Sequence, residues 1–247
     1  MRKIKSFLLK IYIFLMQKKY KRLKYIFQKG GTNTLIISFS GFPGNRSAKY
    51  NYIKTLKPYN ASKLFILDDF GYKKRGSYYL GENGDFFIPE QVKQLVEQLK
   101  NKHGIERLIM IGSSKGGTAA LYYAIKLQGD FCVIGAPQYF LGDYLAEDKH
   151  LPILEGIMGN NDESSIKFLN EIMGQCIRSA NNKPEVFIHY SPTEHTYNEH
   201  IKAMVDELKA NQYCIHEDSN YDYTDHSDVA KHFPIYLNKI LKEKIKK

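Results

Sequence analysis

From Thr34 onward, short runs of consecutive apolar residues alternate with longer stretches in which apolar positions recur every three or four residues. Uninterrupted apolar runs read as strands buried on both faces, as in a parallel sheet, and the longer stretches read as helices covering it. Strands are expected at 34–40 (TLIISFS), 63–69 (KLFILDD), 107–112 (RLIMIG), 131–136 (FCVIGA), 185–190 (EVFIHY) and 213–218 (YCIHED). Helices are expected at 89–103, where Val92, Leu95, Val96 and Leu99 share a face, and at 117–127, 198–210 and 227–243. This alternation predicts an α/β fold, a mostly parallel sheet flanked by helices. Residues 138–183 break the rhythm, being too many for a simple crossover. With the segments YFLGDYLAE and SSIKFLNEIM inside it, this interval is expected to form a helical cap insertion over the sheet's edge.

The first thirty residues follow another pattern. Ile4, Leu8, Ile11 and Leu15 recur at helical spacing beside Phe7 and Phe14, and ten Lys and Arg side chains accompany them with no Asp or Glu. The pattern predicts a basic amphipathic N-terminal helix over 1–30, ahead of a domain spanning 31–247. Its apolar stretch, Phe7 to Met16, is interrupted by Lys10 and is too short to cross ~30 Å of hydrocarbon. No small-residue cleavage site follows it. Two readings remain: residues 1–28 lie on an anionic membrane surface, or the helix packs on the domain with a solvated basic flank. In either case the domain is expected to fold without residues 1–28.

At 247 residues one domain is the default. The formal charge of +10 resides in the first thirty residues, because the other 217 carry 26 charges of each sign. The body therefore lacks the basic surface that nucleic-acid binding requires. Cys132, Cys176 and Cys214 are few, odd in number and placed in or near apolar runs, the pattern of buried thiols in a reducing compartment. A cytoplasmic protein is expected, peripheral on the inner face of the cell membrane if the N-terminal helix binds there. With neither a second Cys nor a His at ligand spacing, no metal site is expected, and no cofactor is called for.

The chemistry concentrates in LIMIGSSKGGTAALYYAI, Leu108 to Ile125, where Gly-Ser-Ser-Lys-Gly-Gly separates a buried strand from an alanine-rich helix. A phosphate loop needs G-x-x-x-x-G-K-[ST], and here Lys115 precedes the glycine pair. The spacing instead fits G-x-S-x-G, in which a nucleophile sits on a tight strand-to-helix turn whose flanking positions must lack side chains. Gly112 and Gly116 select Ser114; centring on Ser113 would put Ile111 and Lys115 at those positions.

A serine hydroxyl needs a base, and the base needs an acid to orient it. His226, in the loop before the last helix, is the candidate base, and Glu194, the first carboxylate beyond the 185–190 strand, the candidate acid. Asp222 and Asp225 lie beside His226 in sequence, where adjacent loop residues reach the far imidazole nitrogen less readily. The oxyanion hole is expected from the backbone N–H groups of Lys115 and of Phe42, in the SFSGFPGNR loop. The tyrosine-rich stretch at 75–87, RGSYYLGENGDFF, reads as a surface loop, with a sugar-lining role as the sharper alternative.

From about Thr34 to the C-terminus these residues resemble the α/β-hydrolase superfamily. More narrowly, GSSKGGTAALYYAI, a Glu after the penultimate strand and DHSD before the last helix are similar to the hydrolase-like domain of accessory Sec system glycan O-acetyltransferases and related capsular polysaccharide cluster proteins. Those accessory Sec proteins are about twice this length, with further domains. The resemblance implies a Ser114, Glu194, His226 triad working through an acyl-enzyme, either a serine esterase or an O-acyltransferase, on acetyl groups of a bacterial glycan or on a small ester. The rival expectation is a non-catalytic component of a glycan-assembly or accessory secretion machine that keeps the fold.

Overall fold

The computed structural model describes residues 11–44 and 46–245. Its sheet has eight strands in the order β1-β2-β4-β3-β5-β6-β7-β8. These are β1 (Gln17–Tyr20), β2 (Leu23–Gln28), β3 (Thr34–Phe39), β4 (Ser62–Leu67), β5 (Arg107–Ser113), β6 (Phe131–Gly135), β7 (Glu185–Tyr190) and β8 (Ile215–Ser219). From β4 through β8 every neighbouring pair is parallel, while β1 and β2 join antiparallel. All residues of β3, β4 and β6 are buried, which is why their sequences read as continuous apolar runs.

The helices are α1 (Ile53–Leu56), α2 (Phe87–His103), α3 (Lys115–Lys126), α4 (Leu141–Ala146), α5 (Leu151–Met158), α6 (Glu163–Arg178), α7 (Lys202–Ala210) and α8 (Val229–Lys244). Helix α3 packs on β3, β5 and β6, and α8 on β5, β6 and β7. A π-helical turn, Tyr197–Ile201, runs into α7, and a short 3-10 turn, His226–Asp228, runs into α8. The expected cap is present as α4, α5 and α6. With Tyr78 and Leu80 these helices enclose a second apolar cluster containing Leu141, Leu145, Ile153, Leu154 and Leu169.

Two expectations are corrected. Residues 17–28, read as the flank of an N-terminal helix, form the β1–β2 hairpin, and β2 pairs with β4 from Lys24↔Leu67 to Gln28↔Lys63. Residues 11–16 are helical, and residues 1–10 lie outside the described part. The sheet therefore runs across the boundary expected at residue 30. Leu23 and Ile26 are fully buried, and Arg22 pairs with Glu82 at 2.6 Å while its guanidinium lies 3.6 Å from the Phe87 ring. The second correction concerns RGSYYLGENGDFF. Ser77, Tyr78, Tyr79 and Leu80 are buried, so both tyrosines belong to the interior and only Asn83, Gly84 and Asp85 of this stretch are exposed.

Asp68, just beyond β4, holds that stretch in place. Its carboxylate accepts the Ser77 N–H at 3.0 Å and the Tyr79 N–H at 3.2 Å, and the Lys115 ammonium lies 2.6 Å away with both side chains inaccessible to solvent. The Tyr79 hydroxyl accepts the Ser40 N–H at 2.6 Å, and the Tyr123 hydroxyl donates to the Tyr79 carbonyl at 2.7 Å. Through these bonds the end of β3, the buried loop and the start of α3 become one rigid unit.

Candidate active site

Ser114 stands between β5 and α3 with φ 53° and ψ −129°. A non-glycine residue with positive φ stores of order 1–3 kcal/mol of strain and persists only where its surroundings enforce it. The surroundings here are backbone. A Cβ on Gly112 would collide with the Gly116 carbonyl, and one on Gly116 would stand 2.5 Å from the Phe39 carbonyl oxygen. The Ser114 N–H is held by the Gly135 carbonyl at 2.7 Å, and the Ser114 carbonyl accepts from Gly117 and Thr118 in the first turn of α3. Because α3 begins at Lys115, the N–H of Lys115 is one of the helix's four orphan donors, at its positive end.

The expected partners converge on this turn. His226 Nε2 lies 2.8 Å from Ser114 Oγ, and His226 Nδ1 lies 2.5 Å from Glu194 Oε1. If Nδ1 carries the proton that Glu194 accepts, Nε2 presents its lone pair to the serine hydroxyl. Glu194 is 1% exposed. The Thr196 hydroxyl donates to the same oxygen, Oε1, at 2.6 Å, while Oε2 is buried without a partner among the described residues. Asp225 does not serve the imidazole: it accepts the Ser227 N–H at 2.7 Å, which caps the turn and holds its carboxyl below the usual range. Ser113 Oγ is bonded to the Tyr52 hydroxyl at 2.7 Å instead of to a base.

A cleft of about 350 Å³ opens over the serine, with Gly41, Phe42, Asn51, Ser114, Tyr144 and His226 in its walls. Phe42 is thus part of the cleft wall, and the Arg75 guanidinium covers its ring at 4.7 Å. Two groups were missed in the sequence. Gln138, fully buried after β6, aims its amide nitrogen at Ser114 Oγ from 3.4 Å, and its backbone N–H and carbonyl both bond the Thr118 hydroxyl. Lys115, expected to act only through its N–H, carries the ammonium that neutralises Asp68; burial pulls its pKa down against the pull of that carboxylate. Neither role leaves a local signature, because both partners are more than twenty residues away or joined by the fold alone.

The cysteine reading needs a correction. Cys132 and Cys176 are buried, but Cys214 is exposed, with its Sγ 3.5 Å from His216 Nε2. Glu185, Cys214 and His216 bring one ligand-type atom each within 4.8 Å of one another, so a ligand-spaced histidine does exist. The Glu185 carboxylate is already engaged there by the Lys244 ammonium at 2.9 Å from both oxygens.

No family model matches the sequence, and no curated protein sequence does either. Solved structures do match. The capsule O-acetyltransferase of Neisseria meningitidis serogroup A superposes with a TM-score of 0.78 at 22% identity, over 92% of this chain and 94% of that one. The fold is that of the α/β-hydrolases. A fluorophosphonate-binding serine hydrolase of Staphylococcus aureus matches with a TM-score of 0.64 at 13% identity, covering 90% of this chain and 91% of that one. A chain of the glycosylation-associated protein complex of Streptococcus agalactiae matches with a TM-score of 0.74 at 17% identity. This chain spans 92% of its own length there but only 46% of that protein. In this hydrolase fold the serine turn follows the central β5, and the Glu194 and His226 loops follow β7 and β8 at the same end of the sheet.

Proposed function

We propose that the protein is a serine-dependent acyl-transfer enzyme acting on acetyl groups of a bacterial glycan. One observation carries the reading: the continuous Glu194–His226–Ser114 connection at 2.5 and 2.8 Å, built on a strained turn at a helix N-terminus. In the first half-reaction His226 Nε2 takes the hydroxyl proton while Ser114 Oγ bonds the acyl carbon. The carbonyl oxygen takes up the electron pair and is stabilised by the N–H groups of Lys115 and Phe42. Collapse expels the leaving group, which receives the proton from His226. A sugar hydroxyl or water then repeats the sequence in reverse on the acyl-enzyme.

The similar Neisseria enzyme is also known in complex with CoA, as a variant matching this chain at 23% identity with a TM-score of 0.75. This favours an acyl thioester as donor and a sugar hydroxyl as acceptor. The likeness to the streptococcal glycosylation-associated complex keeps a non-catalytic, partner-bound role as the second reading. Comparing the surface glycan of a Ser114→Ala strain with its parent by proton NMR tests the proposal. Fewer O-acetyl signals mean a transferase and more mean an esterase, while an unchanged glycan removes the sugar substrate.

Membrane contact is part of the same proposal. No helix among the described residues is long and apolar enough to cross a membrane. Phe14 and Leu15 are 84% and 71% exposed beside the basic residues Lys18 and Lys19, a surface suited to an anionic bilayer. Sedimentation with anionic liposomes that is weakened by Phe14→Ser and Leu15→Ser supports it, and protein that stays in the supernatant at physiological salt contradicts it.

A further inference from the structure

A second cleft, of about 290 Å³, adjoins the first. Phe140, Asp143, Tyr144, Glu147, Glu199 and His200 line it, and Tyr144 belongs to the walls of both. It lies between α4 and the π-helical turn at Tyr197–Ile201, whose preceding loop carries Glu194.

Its chemistry is mixed in a particular way. His200 is 3% exposed, and its Nδ1 accepts the Phe140 N–H at 3.4 Å. That fixes the ring proton on Nε2, which has no hydrogen-bond partner among the described residues although the side chain is nearly all buried and lines the cleft. Burial holds the imidazole pKa down to about 4, so the ring is a neutral donor at physiological pH. Around it stand three carboxylates. Asp143 is exposed, with one oxygen accepting from Asn170 at 2.8 Å; Glu147 pairs with the exposed Lys149 at 2.8 Å; Glu199 is exposed. Phe140 and Tyr144 add apolar ring surface, and no Lys or Arg among the described residues lines the cleft.

An unpaired donor at the base, carboxylates at the rim and aromatic faces between them suit a polyhydroxylated ring that bears no negative charge. Adjacent sugar hydroxyls donate to carboxylates, the ring's C–H face lies on aromatic carbons, and His200 Nε2–H finds an acceptor oxygen. A uronate, a sialate or a phosphate would meet three carboxylates, of which only Glu147 has a cationic partner, the exposed Lys149. We propose that this cleft is an acceptor subsite for an uncharged sugar unit, which positions the neighbouring hydroxyl past Tyr144 toward Ser114. The assignment rests on the glycan reading above and extends it to the class of sugar.

The test is binding without turnover. Full-length Ser114→Ala protein is mixed with methyl glycosides of glucose, galactose, mannose, their N-acetylamino counterparts and the matching uronic acids, and saturation-transfer NMR records which are contacted. At least one uncharged glycoside should bind while the uronic acids do not. Asp143→Lys with Glu199→Lys, both at exposed positions, should weaken that binding by about ten-fold or more and admit a uronic acid. Contact with no uncharged sugar, equal contact with uronic acids, or binding that ignores the charge reversal overturns the subsite. Because the serine is absent throughout, failure here is separable from failure of the acyl-enzyme reading, which parent protein tests with p-nitrophenyl acetate alone.

Discussion

At Glu194 and His226 the side chains stand within hydrogen-bonding distance, a pairing that sequence order only suggests. Glu194 reaches the imidazole from another strand's loop, whereas Asp225, its immediate neighbour, spends its carboxylate on the Ser227 N–H. Glu194→Gln should therefore lower kcat for p-nitrophenyl acetate by at least about 100-fold by losing the partner that orients the ring, while Asp225→Asn stays within a few-fold. A larger loss for Asp225→Asn would reassign the acid. His200 gives a pH dependence with a definite sign. Its folded pKa, about 4, lies below the ordinary 6.5, so between those values the unfolded chain binds more protons and stability falls as pH falls. The surrounding Asp143 and Glu147 oppose that shift, and His195 and His226 reinforce it. Urea midpoints should drop from pH 7 to pH 4.5 by less in His200→Gln than in the parent, the full contribution being about 3 kcal/mol at most. An equal drop in both would place the pH sensitivity elsewhere.

Single elements show where sequence reading succeeds and where it stops. The turn at Ser114 was legible because its signature is local: Gly112 and Gly116 stand two residues either side of the serine, the first forced by the Gly116 backbone and the second by the Phe39 backbone. Five of the six strands from 34 onward were legible because burial on both faces leaves apolar runs, whereas β8 is largely exposed and polar. The β1–β2 hairpin was not legible. Its fully buried residues, Leu23 and Ile26, stand three apart among lysines, a helical spacing that arises as one edge hairpin packs on the sheet. Lysine-rich edges are one means by which sheets avoid pairing with other chains. Removing residues 1–28 should therefore strip β4 of its β2 neighbour, leaving it paired with β3 alone, and expose its apolar side chains. Since each buried Leu or Ile contributes about 1.5–3 kcal/mol and a domain has roughly 5–15 in total, the truncated chain should lose its cooperative thermal transition. A truncated protein that melts like the parent would contradict the hairpin.

Across the whole molecule, the Asp68–Lys115 pair ties distant elements together from a position inaccessible to solvent. One side chain comes from the end of β4 and the other from the first residue of α3, so no local pattern announced the contact. Asp68→Ala would strand a buried ammonium along with the Ser77 and Tyr79 N–H groups, and should cost about 3–5 kcal/mol in urea unfolding. Lys115→Met, which leaves those N–H groups satisfied, should cost less; the reverse order would contradict the role given to Asp68. The pair also reaches the candidate site, because the same lysine carries the backbone N–H proposed to meet the oxyanion. Fold, cap and serine turn thus came from nearby residues, while the rigid frame around them came from partners that only the tertiary structure brings together.

The proposal as a whole stands on an activated Ser114, and labelling by a fluorophosphonate probe reads that state directly, since the reagent reacts with a serine whose proton can be taken by a base. Parent protein and Ser113→Ala should both be labelled, and the parent's label should report turnover of p-nitrophenyl acetate. Ser114→Ala should lose the label entirely and about 10⁴-fold or more of the turnover. Labelling that survives Ser114→Ala, or vanishes with Ser113→Ala alone, would contradict the assignment of the nucleophile.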